Sequence, residues 1–321
     1  LIVIALVLIP VVPAQAGSGQ VLMRSQESIT NRADRDGNQA STSNGVFTIL
    51  DPGDPSGVVS DDFNVCTLDG GVWTLVDPVG DASLAMSGTQ ALLSVPAGVD
   101  HDVWSSGNRA PRLMQAANDT DFELEVKFES PMDARYQIQG ILVEQDADNF
   151  MRFDFYGDGR RTWVFAASVV NGSPSQIIKT LIGSAGVAPL YLRVTRSGDQ
   201  WTQAYSLDGA NWTVAVDAHT HALSVTGVGV FVGNAGQDPA HTGVIDYFFN
   251  TAGPIIPEDA NGNSLNINVS GNGSVGKDPD QAQSTCGEAV QLTAVADPGW
   301  VFDSWSGDLT GSTNPASVTM D

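Results

Sequence analysis

The chain has 321 residues, and 37 Asp+Glu against 14 Lys+Arg give it a formal net charge of -23. Repulsion from such a surface excludes a phosphate-gripping nucleic-acid binder and disfavours docking on anionic membranes. Hydrophobic residues at 42%, with 34 Gly and 16 Pro, exclude a collagen-like or wholly disordered chain, and the length predicts one large domain plus a smaller one.

Residues 1–16 open with a run of about a dozen apolar residues, too short for a bilayer span of ~20. Together with Ala14-Gln15-Ala16 they are expected to be the remnant of a signal peptide, its start missing; a buried strand is the alternative. The far end, Met320-Asp321, is likewise expected to be truncated. Residues 17–58 are polar and turn-rich and predict a linker, with one short strand at Gly45–Leu50. No membrane insertion is expected.

From 59 to 251 the pattern is extended. Phe122–Glu129 alternates apolar and charged residues, the signature of a half-buried strand. Asn149–Tyr156 has the same character. Leu190–Arg196, Trp201–Ser206 and Trp212–Val216 are separated by Ser197-Gly-Asp199 and Leu207-Asp-Gly209, which is hairpin chemistry. Val228–Val232 and Thr242–Asn250 complete the series. With no sustained helical stripe, the fold class predicted is all-β: an antiparallel jelly-roll β-sandwich. A Pro/Gly/Asp-rich linker at 252–263 leads to a second module at 264–321, with strands at Leu265–Val269, Ala289–Ala296 and Trp300–Trp305. The charge divides as -2 over 17–58, -13 over 59–251 and -8 over 252–321, so acidity covers both modules rather than a tail.

The second module resembles the divergent internalin-type B repeat of bacterial surface proteins, through Val269–Gly276, Gly287–Ala294, Asp297–Asp308 and Asn314–Asp321. The resemblance implies a small β-grasp-like unit, with Trp300, Phe302 and Trp305 as core anchors. The larger domain resembles the concanavalin A-like lectin/glucanase superfamily, nearest to the jelly roll at the C-terminus of β-xylosidases. Asp61–Phe63, His101–Trp104, Ala110–Gln115, Gly140–Glu144 and Arg193–Trp201 carry that likeness. It implies architecture more firmly than activity.

Glu123, Glu125 and Glu129 are the one candidate for the related glucanases' acids, but spacing and residue type depart from the motif, and Lys127 stands among them. A solvent-facing row with Leu124, Val126 and Phe128 turned inward is the expectation, and no enzymatic activity is expected. Ligand binding fares better. Phe150, Arg152, Asp154 and Tyr156 share one strand face opposite Met151, Phe153 and Phe155, a mixture that suits sugar stacking with hydrogen bonds beside it. Trp104 and Trp163 would form the rim. A structural Arg152–Asp154 contact is the competing reading.

No cofactor motif is present. Calcium is the metal that Asp-rich loops suit, with Asp61, Asp62 and Asp246 meeting if the first and last strands neighbour each other, and Asp146–Asn149 as a second candidate. His219 and His221 would present two imidazoles on one face, without a third ligand nearby. Cys66 and Cys286 permit one bridge, though Cys286 could equally pair outside this sequence. The function expected is a non-catalytic carbohydrate-binding or adhesion module of a secreted or cell-surface bacterial protein. Its partner would be a polysaccharide or other glycan, and its state a monomer within a longer multidomain chain. A ligand-free structural spacer and a glycoside hydrolase are the alternatives.

Overall fold

The computed structural model describes residues 2–10, 42–43, 46–47, 54–105, 107–258 and 264–321. Most of the 17–58 linker, Ala14–Ala16 and the end of the 252–263 linker therefore lie outside the described residues. Contacts divide the chain into two units. Strands β1 (Ile2–Pro10), β2 (Thr42–Ser43) and β3 (Val46–Phe47) come first, the last two pairing as a short ladder inside or beside the predicted 45–50 strand.

The larger unit is a sandwich. Its strands are β4 (Thr74–Val76), β5 (Ser83–Met86), β6 (Ala91–Val95), β7 (Val103–Trp104), β8 (Gly107–Asn108), β9 (Arg112–Ala116), β10 (Phe122–Phe128) and β11 (Arg135–Asp146). They are followed by β12 (Asn149–Asp158), β13 (Arg161–Val170), β14 (Ser173–Ser184), β15 (Leu190–Ser197), β16 (Gln200–Ser206), β17 (Thr213–Thr220), β18 (Gly227–Asn234) and β19 (His241–Asn250). One seven-stranded sheet runs β17-β16-β15-β10-β19-β6-β5 and the other β14-β13-β12-β11-β18-β9-β4, with antiparallel pairing throughout. The predicted strands all appear, and among the described residues there is no helix.

Period-two patterning builds the core. Along β10, Phe122, Leu124, Val126 and Phe128 are buried, and they pack with Met151, Phe153 and Phe155 of the facing sheet. Glu123, Glu125 and Lys127 point outward, as alternation requires. The row is ion-paired rather than merely solvated. Arg193 of β15 lies 2.6 Å from Glu125 and 3.6 Å from Glu123, while Lys127 reaches Glu129 at 2.6 Å and Asp246 at 2.7 Å. Cys66 and Cys286 form a disulfide; Gln283–Glu288 groups with the sandwich unit.

The smaller unit contains β20 (Leu265–Ser270), β21 (Gly273–Asp278), β22 (Ala289–Ala296), β23 (Trp300–Gly307) and β24 (Ala316–Thr319), in two three-stranded sheets, β20-β1-β23 and β21-β22-β24. Trp305 is buried, and Phe302 packs against it with ring centroids 5.0 Å apart, while Trp300 is half-buried. The apolar opening of the chain thus takes the form of strand β1, with Ile2, Ile4, Leu6 and Leu8 buried. That is the alternative that the sequence left open beside a signal peptide.

Candidate functional site

Strand β12 is buried on both faces. Met151, Phe153 and Phe155 enter the inter-sheet core, whereas Phe150, Arg152, Asp154 and Tyr156 leave the opposite side into a second cluster with Val103, Leu142 and Phe231. The segment around β7 and β8 lies over this second face. Val103 is wholly buried there, and Trp104 meets Phe165 edge-on with centroids 5.9 Å apart.

Under this cover, Arg152 and Asp154 form a two-pronged ion pair. Nε donates to Oδ1 at 2.7 Å and a terminal guanidinium nitrogen to Oδ2 at 2.8 Å. The other terminal nitrogen donates to the Val103 carbonyl at 2.7 Å. The rings of Phe165 and Phe231 stand 5.2 and 5.5 Å from the guanidinium carbon. Burial pushes the Asp154 carboxyl up to about 6 against the pull of Arg152, so it is still an anion at neutral pH. With Arg152 3% exposed and Asp154 not at all, neither is placed to meet a ligand. The expected ligand-bonding role of these two residues gives way to a structural one: their polar atoms are spent on each other and on Val103.

Tyr156, 7% exposed, closes the buried row, and only Asp158 beyond it is half-buried. Tyr156 faces Trp163 across the β12–β13 ladder, the rings within 8° of parallel and 6.3 Å apart. Tyr136 lies 6.1 Å from Tyr156 on the other side. Tyr136 sits at φ 64°, where the β11–β12 register shifts, so a bulge holds a bulky residue in left-handed backbone. Such a conformation costs an aromatic residue roughly 1–2 kcal/mol, and bulges of this kind re-aim side chains. Here it forms one wall of an open pocket of about 310 Å³, lined also by Arg135, Tyr156, Asp158, Arg160, Arg161 and Lys179. The Lys179 ammonium stands 5.4 Å from the Tyr156 ring centre and 5.0 Å from that of Trp163. Asp158 accepts from the Trp163 indole at 2.9 Å and from the Arg160 and Arg161 amides, which holds its carboxyl down at about 2.

Comparison with known proteins places the chain in a family. The model described as "Protein of unknown function (DUF1349)" matches residues 86–251. The chain belongs to that family. The model for the divergent InlB B-repeat domain matches residues 263–321, so the resemblance read for the second module holds. No curated protein matches the sequence. Among solved structures, the GH43 BlXynB protein from Bacillus licheniformis is similar at 18% identity and a TM-score of 0.48, over 59% of this chain and 38% of its own. A functionally unknown protein from Saccharomyces cerevisiae gives 14% and 0.45, over 56% of this chain and 97% of its own. The carbohydrate-binding module CBM66 from Bacillus subtilis gives 16% and 0.39, over 55% and 91%. The chain thus spans well under half of the GH43 protein's length.

The remaining candidate residues of this family member fall elsewhere. Asp61 bridges to Phe248, so the first segment and the last strand of the sandwich are neighbours, as the calcium reading required. The carboxylates nevertheless diverge. Asp61 accepts from the Phe63 amide and the Trp73 indole, and burial pushes it up to about 6. Asp62 accepts from the Asn64 amide, and Asp246 takes Lys127 and Gln90. Among the described residues no three His, Cys, Asp or Glu side chains gather to hold a metal ion. Asp146 closes its own turn through the amides of Asp148 and Asn149. His219 and His221 do share a face, their rings 6.4 Å apart. Glu123 and Glu125 both lean on Arg193, and neither lines the pocket beside Tyr156. Sequence reasoning missed Arg135, Tyr136, Arg160 and Lys179; the Arg160-Arg161 pair in so acidic a chain was the available signal.

Proposed function

We propose that this chain is a non-catalytic glycan-binding module of an exported bacterial protein, its sandwich holding the sugar and its repeat acting as spacer or attachment. The observation that carries the reading is the open pocket in which Tyr136 stands beside hydrogen-bonding side chains, backed by the buried Tyr156 ring and by Trp163 packed against it. Sugar sites need that combination of ring surface and polar groups. Trp104 and the sealed Arg152–Asp154 pair then support the aromatic floor from behind. Export is supported by the Cys66–Cys286 disulfide, a bond that persists in oxidising compartments.

Pull-down of the full chain on insoluble polysaccharides tests the reading, with Tyr136→Asn and Trp163→Leu as variants. Asn tolerates left-handed backbone, so the first variant removes the wall without a new strain. Binding reduced at least tenfold in both, with unchanged melting, is expected; undiminished binding in both would take the pocket out of the site. The spacer reading is favoured by a different observation, the closure of most of the outward face by Val103 and its neighbours. It predicts no retention on any polysaccharide.

A further inference from the structure

The sandwich carries a large excess of acid, and its bases are matched to carboxylates with one local exception. Arg112 reaches Glu144, Lys127 reaches Glu129 and Asp246, Arg152 reaches Asp154, Arg193 reaches Glu125, and Arg196 reaches Asp119, at distances from 2.6 to 2.9 Å; Arg109 sits 3.6 Å from Asp100. Arg135, Arg160 and Lys179 have no carboxylate within 4.0 Å among the described residues, yet all three line the one pocket beside Tyr156. Arg161 joins them with its charge shared with Asp158 at 3.1 Å.

Chance placement of spare cations on an acidic protein would scatter them, since each gains from the nearest carboxylate. These three come from the start of β11, the β12–β13 turn and the middle of β14, and converge on one concavity. Asp158 is the pocket's one carboxylate, and its oxygens are occupied by Trp163, Arg161 and two amides. Four cations against one engaged anion leave a local positive field that a neutral sugar would not use. Guanidinium groups present paired donors that match the oxygens of a carboxylate or sulfate. The half-buried Tyr136 ring in the pocket wall offers apolar surface to the pyranose that bears the acid.

We infer that the pocket takes an anionic glycan, a sugar unit carrying a carboxylate or sulfate whose oxygens meet Arg135, Arg160 and Lys179 while its ring lies against Tyr136. This inference rests on the glycan-binding reading and narrows it to a chemical class. The molecule's overall negative charge opposes approach of a polyanion, but at 0.15 M salt the screening length is about 8 Å, so the local cluster governs contact.

Affinity electrophoresis of the full chain, in gels containing polygalacturonate, its methyl ester, dextran sulfate or dextran, tests the inference. Retardation by polygalacturonate or dextran sulfate, at least tenfold weaker with the uncharged counterpart, is expected, and the acidic polymer that retards identifies carboxylate or sulfate as the group read. The double variant R160A/K179A, altered at two exposed side chains, should lose at least tenfold in affinity with unchanged melting, and Lys179→Arg should retain binding. Equal retardation by charged and uncharged polymers would overturn the inference while leaving the glycan reading in place. Retardation by none of the four would overturn both.

Discussion

Three nitrogens of Arg152 donate within the protein, two to Asp154 and one to the Val103 carbonyl. Neither charge could be left alone in that position, because an isolated ion away from water is far costlier than a paired one. Arg152→Ala should therefore destabilise the sandwich by about 3–5 kcal/mol, through the unpaired Asp154 carboxylate rather than through lost packing. Urea unfolding measures this, and the double variant Arg152→Met/Asp154→Leu should recover most of the loss. A single variant as stable as the parent would show that the pair is open to water. The alternation that set Arg152 and Asp154 on one face was legible from spacing alone. Their burial was not, because the residue that seals them, Val103, lies 49 positions from Arg152 along the chain.

At the scale of elements, the period of two was enough to find the strands and the inward rows of β10 and β12. Local turn chemistry at Gly198 and Asp208 placed the hairpins between β15, β16 and β17. What the pattern could not show was the course of the segment before β9, which is irregular and owes its position to distant strands. One close approach fixes it: a Cβ added at Gly233 of β18 would meet the His101 carbonyl oxygen at 2.5 Å. Gly233→Ala should lift this segment from the sheet and cost about 1–3 kcal/mol, the range for overpacking. Faster amide exchange over residues 101–110 and greater quenching of Trp104 would register the movement. Gly253→Ala, where nothing lies within 4 Å, serves as the control. The cationic pocket was illegible for a related reason: Arg135, Arg160 and Lys179 become neighbours only when β11, β12, β13 and β14 are laid side by side.

For the whole molecule, the excess of acid suggests a stability that climbs as pH falls and the carboxylates discharge, yet the buried groups pull in opposite directions. Burial raises Asp61 to about 6, so between there and its ordinary 3.8 the folded state holds more protons than the unfolded one. That group adds stability as pH falls. His241 is 4% exposed, its Nε2 lies 3.0 Å from the Gln139 side-chain oxygen, and burial pushes it down to about 4. The Ser130 hydroxyl donates to the same oxygen, so the imidazole is placed as a neutral donor. Between 6.5 and about 4 the unfolded state binds the extra proton, and His241 therefore removes stability as pH falls. Each shift of two units or more corresponds to roughly 3 kcal/mol, so His241 offsets only one of the two raised carboxylates, Asp61 and Asp154. Comparing the protein with His241→Gln isolates one arm, since every other titration is common to both. Relative to the parent, the variant should gain about 3 kcal/mol between pH 7 and pH 4 in urea unfolding. Identical pH slopes for the two proteins would mean that His241 is free to take up a proton in the folded state.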